Sequence, residues 1–245
     1  MSGGTLLRVQ GLDAAVEGFQ VTYDVDFTVG EGKAVGYVGR NGAGKTTTFR
    51  SVMGLADVLG GSIRFRGTEL TELRPEAIPR HGIGYQPEDR KLFTGMTIDE
   101  NFRMPIWTLG KERGIEDEEA AVEDVYDVFE ELSDRRDAKV ENLSGGQAKM
   151  VSIGRALALK PDLLVLDEPL EGLAPIIVER LKEYIQEINS RGIAVLIAES
   201  NVQHVPEIVD ELYVIERGEI FDSGDPQEVA RKRDVQELMQ GGGRE

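Results

Sequence analysis

The 245-residue sequence contains no cysteine, so disulfide bonds and thiolate metal sites are excluded. It also has no apolar run of membrane-spanning length, because candidates such as LLVL and AVLIA are only four and five residues long. A basic segment followed by an apolar one is missing from the N-terminus, so no signal sequence is predicted. We therefore expect a cytosolic protein that is held at a membrane only by a partner.

Basic residues are scarce, since 28 lysines and arginines face 45 aspartates and glutamates and the formal net charge is −17. Such a chain repels the phosphate backbone, which disfavours nucleic acid as a partner. Two interpretations of the acidity remain open. It is either an ordinary property of a soluble protein or an adaptation to a saline cytosol, where salt screens the repulsion among carboxylates.

Hydrophobic residues make up 40% of the sequence, which is enough for a full core. Short apolar segments predict strands, and longer segments at about 145–159 and 175–190 predict helices. The predicted strands lie at 33–38, 82–87, 162–167, 193–199 and 211–216. Strands and helices that alternate in this way are typical of a parallel α/β sheet.

The segment from about residue 97 to 142 has a different pattern. The sequence DEEAAVEDVYDVFEEL, residues 117–132, predicts one acidic amphipathic helix, and no strand is predicted beside it. We interpret this region as a helical subdomain inserted into the α/β core.

The loop after the strand at 33–38 has the sequence GRNGAGKT and matches the phosphate-loop pattern GxxxxGK[ST]. In that pattern the glycines let backbone N–H groups turn toward phosphates, the lysine reaches the β and γ phosphates, and the hydroxyl coordinates Mg²⁺. Here the lysine is Lys45 and the hydroxyl belongs to Thr46. The predicted nucleotide-binding residues of this segment are Gly39, Arg40, Asn41, Gly42, Ala43, Gly44, Lys45, Thr46 and Thr47.

A phosphate loop also requires an acid for the metal ion and a group that orients water, both at the end of a buried strand. The segment LLVLDEP, Leu163–Pro169, supplies four apolar residues followed by Asp167 and Glu168. We expect Asp167 to hold Mg²⁺, directly or through water, and Glu168 to accept a proton from the attacking water. The alternative is an acid pair at a helix N-terminus before Pro169.

The segment Leu143–Gln147 has the sequence LSGGQ and ends 20 residues before Asp167. With the phosphate loop and LLVLDE in this order, the chain resembles the ATP-binding-cassette (ABC) ATPases over nearly its whole length. The resemblance implies a P-loop NTPase core with a RecA-like parallel sheet, an N-terminal antiparallel β-subdomain and an inserted α-helical subdomain. It implies a single ABC ATPase domain over residues 1–245, with the core at about 1–87 and 143–240 and the helical subdomain at about 88–142.

In this family the LSGGQ segment binds the γ-phosphate of ATP on the other protomer, so that two cassettes enclose two nucleotides. The residues that match it are Ser144, Gly145, Gly146 and Gln147. A glycine pair that opens a helix offers N–H groups and the positive end of the helix dipole to an anion. We also expect Ser144 to cap its own helix.

Two further segments resemble one branch of the family. DEPLEGLAP, residues 167–175, and GIGYQPEDRKLFTGMTIDEN, residues 82–101, are similar to the second ATPase of branched-chain and neutral amino acid importers. Urea and short-amide importers share much of this pattern, and EDRK is similar to some sugar importers. The resemblance implies an ATPase on the inner face of the cell membrane that drives permease subunits and depends indirectly on a substrate-binding protein. Its partner cassette is expected to be an unlike chain, and a homodimer of this chain in isolation stays open as the alternative.

Two other classes remain open: a soluble cassette scaffold, as in iron–sulfur cluster assembly, and a nucleotide-binding module that hardly hydrolyses ATP. The second is suggested by departures from the family pattern. Glu88 replaces the usual lid glutamine and is expected to approach Mg²⁺ or its waters, while Gln86 lies two residues earlier. Val16 replaces the aromatic residue that stacks on adenine. Either Phe19 or Tyr23 substitutes for it, or both are core residues of the N-terminal sheet.

The last departure concerns a histidine. Ser200 takes the place of the residue that senses the γ-phosphate, and its hydroxyl is expected to contact phosphate through water. His204 lies four residues further along, a displacement of about 6 Å if a helix begins near Asn201. We interpret His204 as a bystander.

Overall fold

The computed structural model describes residues 4–240 of the chain, and these residues form two β-sheets, eight α-helices and three 3₁₀ turns. The strands are β1 (Thr5–Val16), β2 (Phe19–Gly30), β3 (Ala34–Val38), β4 (Asp57–Phe65), β5 (Thr68–Glu69), β6 (Ile83–Gln86), β7 (Leu163–Asp167), β8 (Ala194–Glu199), β9 (Glu211–Glu216) and β10 (Glu219–Gly224). The helices are α1 (Lys45–Val52), α2 (Ile98–Leu109), α3 (Glu118–Val128), α4 (Glu130–Ser133), α5 (Gly145–Leu157), α6 (Pro175–Ser190), α7 (Pro226–Arg231) and α8 (Arg233–Met239). The 3₁₀ turns span Pro75–His81, Val140–Asn142 and Val202–His204.

The larger sheet has the strand order β10-β9-β3-β8-β7-β6. All its neighbouring strands are parallel except β10, which is antiparallel to β9 at one edge. Every residue of β3, β7 and β8 is buried, as expected for strands covered on both faces. The five predicted strands are confirmed, and their parallel arrangement brings the carboxyl ends of β3, β6, β7 and β8 to one edge of the sheet.

The smaller sheet is antiparallel, with the order β2-β1-β4-β5. Its first two strands are joined by Glu17 and Gly18, whose φ angles of 52° and 82° suit a two-residue hairpin turn. The sheet packs on the larger one through an apolar cluster, in which the rings of Phe27 and Tyr37 lie 5.3 Å apart. Phe49 of α1 belongs to the same cluster, so the helix after the phosphate loop packs against strands of both sheets.

Helices α2, α3 and α4 lie between β6 and β7 in the chain; α2 packs on α5, and α3 packs on α2. Thr97 and Glu100 form a capping box that starts α2, because each side chain accepts the other residue's backbone N–H. Phe102 of α2 and Tyr126 of α3 pack edge to face with ring centroids 5.2 Å apart. The predicted fold class is therefore confirmed, with a parallel core, an antiparallel sheet and inserted helices. The subdomain boundaries at residues 88 and 142 stay a prediction, and residues 1–3 and 241–245 lie outside the described part of the chain.

The prediction of a single helix over residues 117–132 is wrong, because the structure has two helices there. The helix breaks at Phe129, whose φ of −110° and ψ of 60° are not helical, and continues as the short α4. The side chain of Phe129 is fully buried and its ring packs 5.0 Å from that of Tyr184 in α6. Burying this ring outweighs the regular hydrogen bonding of one helical turn.

The longest helix, α6, has 16 residues and buries one face, including Leu181, Ile185 and Ile188. None of the helices within residues 4–240 combines the length and the apolar character needed to cross a membrane.

Candidate functional site

The predicted phosphate loop connects the end of β3 to the start of α1. Gly44 and Gly42 have φ angles of +113° and +82°, a region that favours glycine. A Cβ atom at Gly39 would lie 2.5 Å from the carbonyl oxygen of Ile215, so no side chain fits there. The first turn of α1 has no acidic residue and no side-chain cap. Its N–H groups and dipole are therefore suited to an anion.

The loop borders a cavity of about 280 Å³. Its lining residues are Val21, Asn41, Gly42, Gly44, Lys45, Thr46, Thr47, Glu88 and Glu168. All of these except Val21 are predicted from the sequence. Three other predicted loop residues, Gly39, Arg40 and Ala43, do not line the cavity.

Lys45 is 3% exposed and extends along the loop. Its Nζ lies 2.7 Å from the carbonyl oxygen of Gly39, 3.1 Å from that of Arg40 and 3.0 Å from Oε1 of Glu168. A buried lysine beside a carboxylate and a helix N-terminus is positioned to exchange these contacts for phosphate oxygens.

Asp167 ends β7 and is fully buried. Its Oδ1 accepts a hydrogen bond from Thr46 Oγ1 at 3.2 Å, and its Oδ2 accepts one from the Tyr85 hydroxyl at 3.3 Å. Burial raises the pKa of Asp167 to about 6, and the hydrogen bond from Thr46 opposes this shift. A bound cation would stabilise the ionised carboxylate and lower that pKa.

The donor set around Asp167 and Thr46 fits Mg²⁺. Carboxylate and hydroxyl oxygens are the hard ligands that Mg²⁺ prefers, and this ion usually takes its remaining ligands from water and phosphate. Within residues 4–240, no group of three His, Cys, Asp or Glu side chains could hold a metal ion.

Glu168 follows directly after β7 and is 4% exposed. Its Oε1 forms the ion pair with Lys45, while its Oε2 is buried without a hydrogen-bond partner among the described residues. A buried carboxylate oxygen at the edge of a phosphate cavity can accept a hydrogen bond from a water molecule and then its proton. The geometry brings Glu168 to the cavity that the sequence predicts for it.

The segment after β6 brings one of its two polar residues to the cavity. Glu88 is exposed and lines the cavity. Gln86 is fully buried instead, and its Nε2 donates to the carbonyl oxygens of Pro87 and Asp167, the latter at 3.5 Å. Glu88 is therefore available to a ligand, whereas Gln86 stabilises the backbone beside Asp167.

The LSGGQ segment lies at the start of α5 and contributes no residue to the lining of the cavity. Ser144 and Gln147 form a capping box, with Ser144 Oγ accepting the Gln147 N–H at 3.3 Å and Gln147 Oε1 accepting the Ser144 N–H at 3.2 Å. The expected capping role of Ser144 is confirmed. A Cβ atom at Gly146 would lie 2.7 Å from Cγ2 of Ile177, but one at Gly145 would meet no atom closer than 3.8 Å.

Ser200 and His204 lie outside the lining of the phosphate cavity. Ser200 borders a separate cavity of about 340 Å³, together with Asn201 and Gln236. His204 belongs to a 3₁₀ turn, and its Nε2 lies 3.1 Å from Asn201 Nδ2. Burial, followed by the charge of Lys182, lowers the pKa of His204 and favours the neutral ring. The roles given to Ser200 and His204 stay predictions.

The aromatic residues proposed for adenine are both exposed. Phe19 is 78% exposed and Tyr23 is 41% exposed. The alternative that both are core residues of the N-terminal sheet is therefore wrong, because the β1–β2 hairpin turns these side chains outward. Val21 of the same hairpin lines the phosphate cavity.

Four residues at the site have no role in the sequence-based prediction: Val21, Tyr85, Lys149 and Glu199. Glu199 ends β8, and its Oε1 accepts the N–H of Leu170 at 2.9 Å. Its position after an apolar run is the same signal that identifies Asp167. Lys149 interrupts the apolar face of α5, which is a detectable signal as well, whereas nothing in the sequence distinguishes Val21 from other strand residues.

Comparison with known proteins agrees with this geometry. A family model described as ABC transporter matches residues 22–171. The chain is 37% identical over 201 residues to the high-affinity branched-chain amino acid transport ATP-binding protein BraG of Pseudomonas aeruginosa. This alignment covers 82% of this chain and 84% of that protein. It is 32% identical over 235 residues to the lipopolysaccharide export system ATP-binding protein LptB of Escherichia coli K12, covering 96% of this chain and 97% of that protein.

Among solved structures, the chain is similar to an ATP-binding cassette of an ABC transporter in its ADP conformation. The two share a TM-score of 0.83 and 29% sequence identity, over 97% of this chain and 99% of the other.

Proposed function

The chain belongs to the ABC transporter family of ATP-binding cassettes, and we propose that it is the ATPase subunit of an importer for branched-chain or other neutral amino acids. Cassettes of this family hydrolyse ATP, so the chain is an ATPase. They work as dimers with membrane permease subunits, and here ATP hydrolysis would drive a separate permease.

One observation carries the proposed mechanism: Lys45, Thr46 and Glu168 line one cavity, and the buried Asp167 is hydrogen-bonded to Thr46. Lys45 binds the β and γ phosphates, and the N–H groups of the loop and of α1 surround them. Thr46 and Asp167 would hold Mg²⁺, which withdraws charge from the phosphate oxygens when it is bound. Glu168 orients the attacking water through its carboxylate and takes one proton from it.

The amino acid substrate is supported by the similarity to BraG, whose name states branched-chain amino acid transport. A second candidate is an ATPase of an export system, because the similarity to LptB covers a larger share of both chains at a slightly lower identity. Both candidates use the same ATP site, so the chemistry at Lys45 and Glu168 does not discriminate between them.

Uptake in the host discriminates between the two candidates. Deleting the gene should abolish uptake of labelled leucine, isoleucine or valine, and the wild-type gene should restore it. The gene for Glu168→Gln should not restore it, because that chain binds ATP without turnover. Unchanged amino acid uptake in the deletion strain, together with a defect in the cell envelope, would favour the export system instead.

An apolar groove supports a permease as the partner. The groove encloses about 450 Å³ between the sheet core and α2, and Leu55, Phe93 and Met104 are among its lining residues. Leu55 is 54% exposed and Phe93 is 40% exposed, which is costly in water unless a partner covers them. Tyr85 also lines the groove and donates its hydroxyl hydrogen bond to Asp167. A cytoplasmic segment of the permease in this groove would therefore contact a residue that is bonded to the proposed metal ligand.

The groove is tested with Leu55→Asp, which places a charge on its apolar wall. This variant should lose co-sedimentation with membranes that contain the permease, while it still binds ATP. Leu59→Asp is the matched control, because Leu59 is 60% exposed on β4 and does not line the groove. Equal membrane association of Leu55→Asp and wild type would contradict the groove as the docking surface.

We place the chain on the inner face of the cell membrane, attached through the permease. The second cassette of the dimer is an unlike chain, and a substrate-binding protein acts on the permease from outside. Purified chain without the permease should then remain in the supernatant after centrifugation with lipid vesicles. Association with protein-free vesicles would contradict this arrangement.

A further inference from the structure

The peptide of Glu168 is held by a side chain that the mechanism above does not use. Lys149 lies on α5, four residues after Gly145, and is 2% exposed. Its Nζ donates to the carbonyl oxygen of Glu168 at 2.6 Å and lies 3.4 Å from that of Glu88. The same ammonium group therefore contacts the peptide of the proposed base and the peptide of a residue that lines the phosphate cavity.

The backbone of Glu168 needs such support. Its φ of +50° lies in the left-handed region, which costs about 1–2 kcal/mol for a residue with a Cβ atom. The next residue is Pro169, and a residue before proline prefers extended backbone. The N–H of Glu168 donates to the carbonyl oxygen of Ala198 at 3.1 Å. With Lys149 on its carbonyl oxygen, the residue is fixed on both sides in a conformation that it would not adopt unaided.

The charges around Lys149 explain why a lysine is tolerated there. Burial and the charge of Arg90 lower its pKa, whereas Glu199, Glu171 and Asp167 favour the ammonium form. Both the ammonium and the neutral amine donate hydrogen bonds, so the contact with the Glu168 carbonyl persists in either form.

We propose that Lys149 is a positioning residue for ATP hydrolysis, because it holds the Glu168 peptide so that the carboxylate faces Lys45 and the phosphate cavity. The same ammonium group also contacts the carbonyl oxygen of Glu88 and so keeps that segment next to Glu168. This inference rests on the proposed role of Glu168 as the base. Lys149 does not contact nucleotide or water in this role. It acts on turnover through the orientation of Glu168.

A neighbouring residue of α5 offers a matched control. Ser152 lies one turn after Lys149 and donates through Oγ to the carbonyl oxygen of Arg90 at 3.1 Å. It is buried like Lys149 and contacts the same segment after β6, but the structure shows no bond from it to Glu168. Ser152→Ala therefore loosens the segment and leaves the Glu168 peptide untouched.

The experiment measures Mg-ATP turnover and nucleotide affinity of the full chain, with wild type, Lys149→Met, Ser152→Ala and Glu168→Gln in parallel. Methionine keeps the length of the side chain and removes every donor. For Lys149→Met we expect kcat to fall by about 10- to 100-fold, as for a misplaced catalytic group. KM and the affinity for a fluorescent ATP analogue should stay within about twofold of wild type, because the phosphate contacts are intact. Ser152→Ala should keep kcat within about twofold.

Three outcomes would overturn the inference: a kcat for Lys149→Met near wild type, a rise in KM with unchanged kcat, or an equal loss in Ser152→Ala. If Lys149→Met does not fold, Lys149→Leu, which also removes every donor, is judged by the same criteria. Glu168→Gln distinguishes failure of the proposed base from failure of the positioning role. Near-normal turnover of Glu168→Gln means that the proposed base is wrong. Loss of turnover in Glu168→Gln together with normal turnover in Lys149→Met means that only the positioning role is wrong.

Discussion

The starts of α1 and α5 are both helix N-termini next to glycine, yet their surroundings differ. The start of α1 opens into a cavity, and the charged groups there, Lys45 and Glu168, are 3% and 4% exposed. The start of α5 is closed by the Ser144–Gln147 capping box and carries the exposed Gly145. At the start of α1, Lys45, Thr46 and Glu168 line one cavity, whereas the start of α5 presents its glycine to the outside.

The glycines at these two helix starts are of two kinds. Gly39 and Gly146 are required by close packing, since a Cβ atom at either would overlap a neighbouring atom. A Cβ atom at Gly145 would make only ordinary van der Waals contacts, so nothing within the described part of the chain requires a glycine there. A contact with a second cassette would supply the missing reason. Substitutions at the two helix starts test how far they differ.

The largest effect is expected at the α1 site from Glu168→Gln. Glutamine keeps the size of the side chain and removes the base, so turnover should fall by about 10²- to 10⁴-fold. ATP binding should survive, and the bound nucleotide should favour association with the partner cassette. Phosphate release and size-exclusion chromatography with ATP measure the two effects.

His204→Ala is the control for that prediction. His204 does not line the cavity, so its loss should change turnover by no more than a few-fold, and Ser200→His should leave turnover equal or higher. A loss in His204→Ala as large as that of Glu168→Gln would make His204 the phosphate sensor.

The next largest effect concerns binding at the same helix start. Lys45→Ala removes the buried cation beside the loop, and Glu168 then faces the phosphates without a counter-charge. We expect the affinity for MgATP to fall by roughly 10²-fold, the scale seen when one partner of a buried charge pair is removed. Isothermal titration calorimetry measures it, and wild-type affinity in this variant would contradict the phosphate-loop assignment.

At the α5 site, two adjacent glycines should respond in opposite ways. A Cβ atom at Gly145 meets no close contact, and an acid in the first turn favours the helix dipole, so the melting temperature of Gly145→Glu should be unchanged or higher. Its carboxylate would repel a phosphate, and turnover should fall by about 10- to 100-fold. Gly146→Ala should instead lower the free energy of unfolding by about 1–3 kcal/mol, because Ile177 must move.

Thermal melts and ATPase assays on both variants test this contrast. Wild-type turnover of a folded Gly145→Glu would mean that the start of α5 faces no phosphate. Equal stability of Gly146→Ala and wild type would mean that the contact with Ile177 relaxes without cost.

The smallest effect concerns pH and stability. Burial raises the pKa of Glu199 from its ordinary value of 4.5 to about 8. The folded protein therefore holds a proton that the unfolded chain releases between these values, so the free energy of unfolding falls as pH rises through this window, by at most about 1.4 kcal/mol per pH unit. Glu199→Gln still accepts the Leu170 N–H and does not titrate.

Urea denaturation at pH 5.5 and pH 8 measures this effect. The free energy of unfolding of Glu199→Gln minus that of wild type should grow with pH. Taking this difference removes the contribution of all other carboxylates, because both proteins contain them. A difference that is constant between the two pH values would contradict the raised pKa of Glu199.

Much of the fold and of the α1 site could be predicted from the sequence. The five parallel strands, the phosphate loop and the acids Asp167 and Glu168 are all recognisable in short segments. The wrong prediction of a single helix over residues 117–132 concerns a residue whose environment is distant in the chain. Phe129 breaks the helix because it packs on Tyr184.

The sequence by itself determined the features that depend on adjacent residues: the glycine conformations of the loop, the capping boxes of α2 and α5, and the polar ends of apolar strands. Only the tertiary structure decided which of these features meet. Thr46 and Asp167 are 121 residues apart and form a hydrogen bond because β3, β8 and β7 are neighbours in the sheet. Lys149 reaches the Glu168 peptide because α5 packs beside the end of β7. Local backbone preferences act over a few residues, whereas strand order and helix packing are set by burial of the whole core.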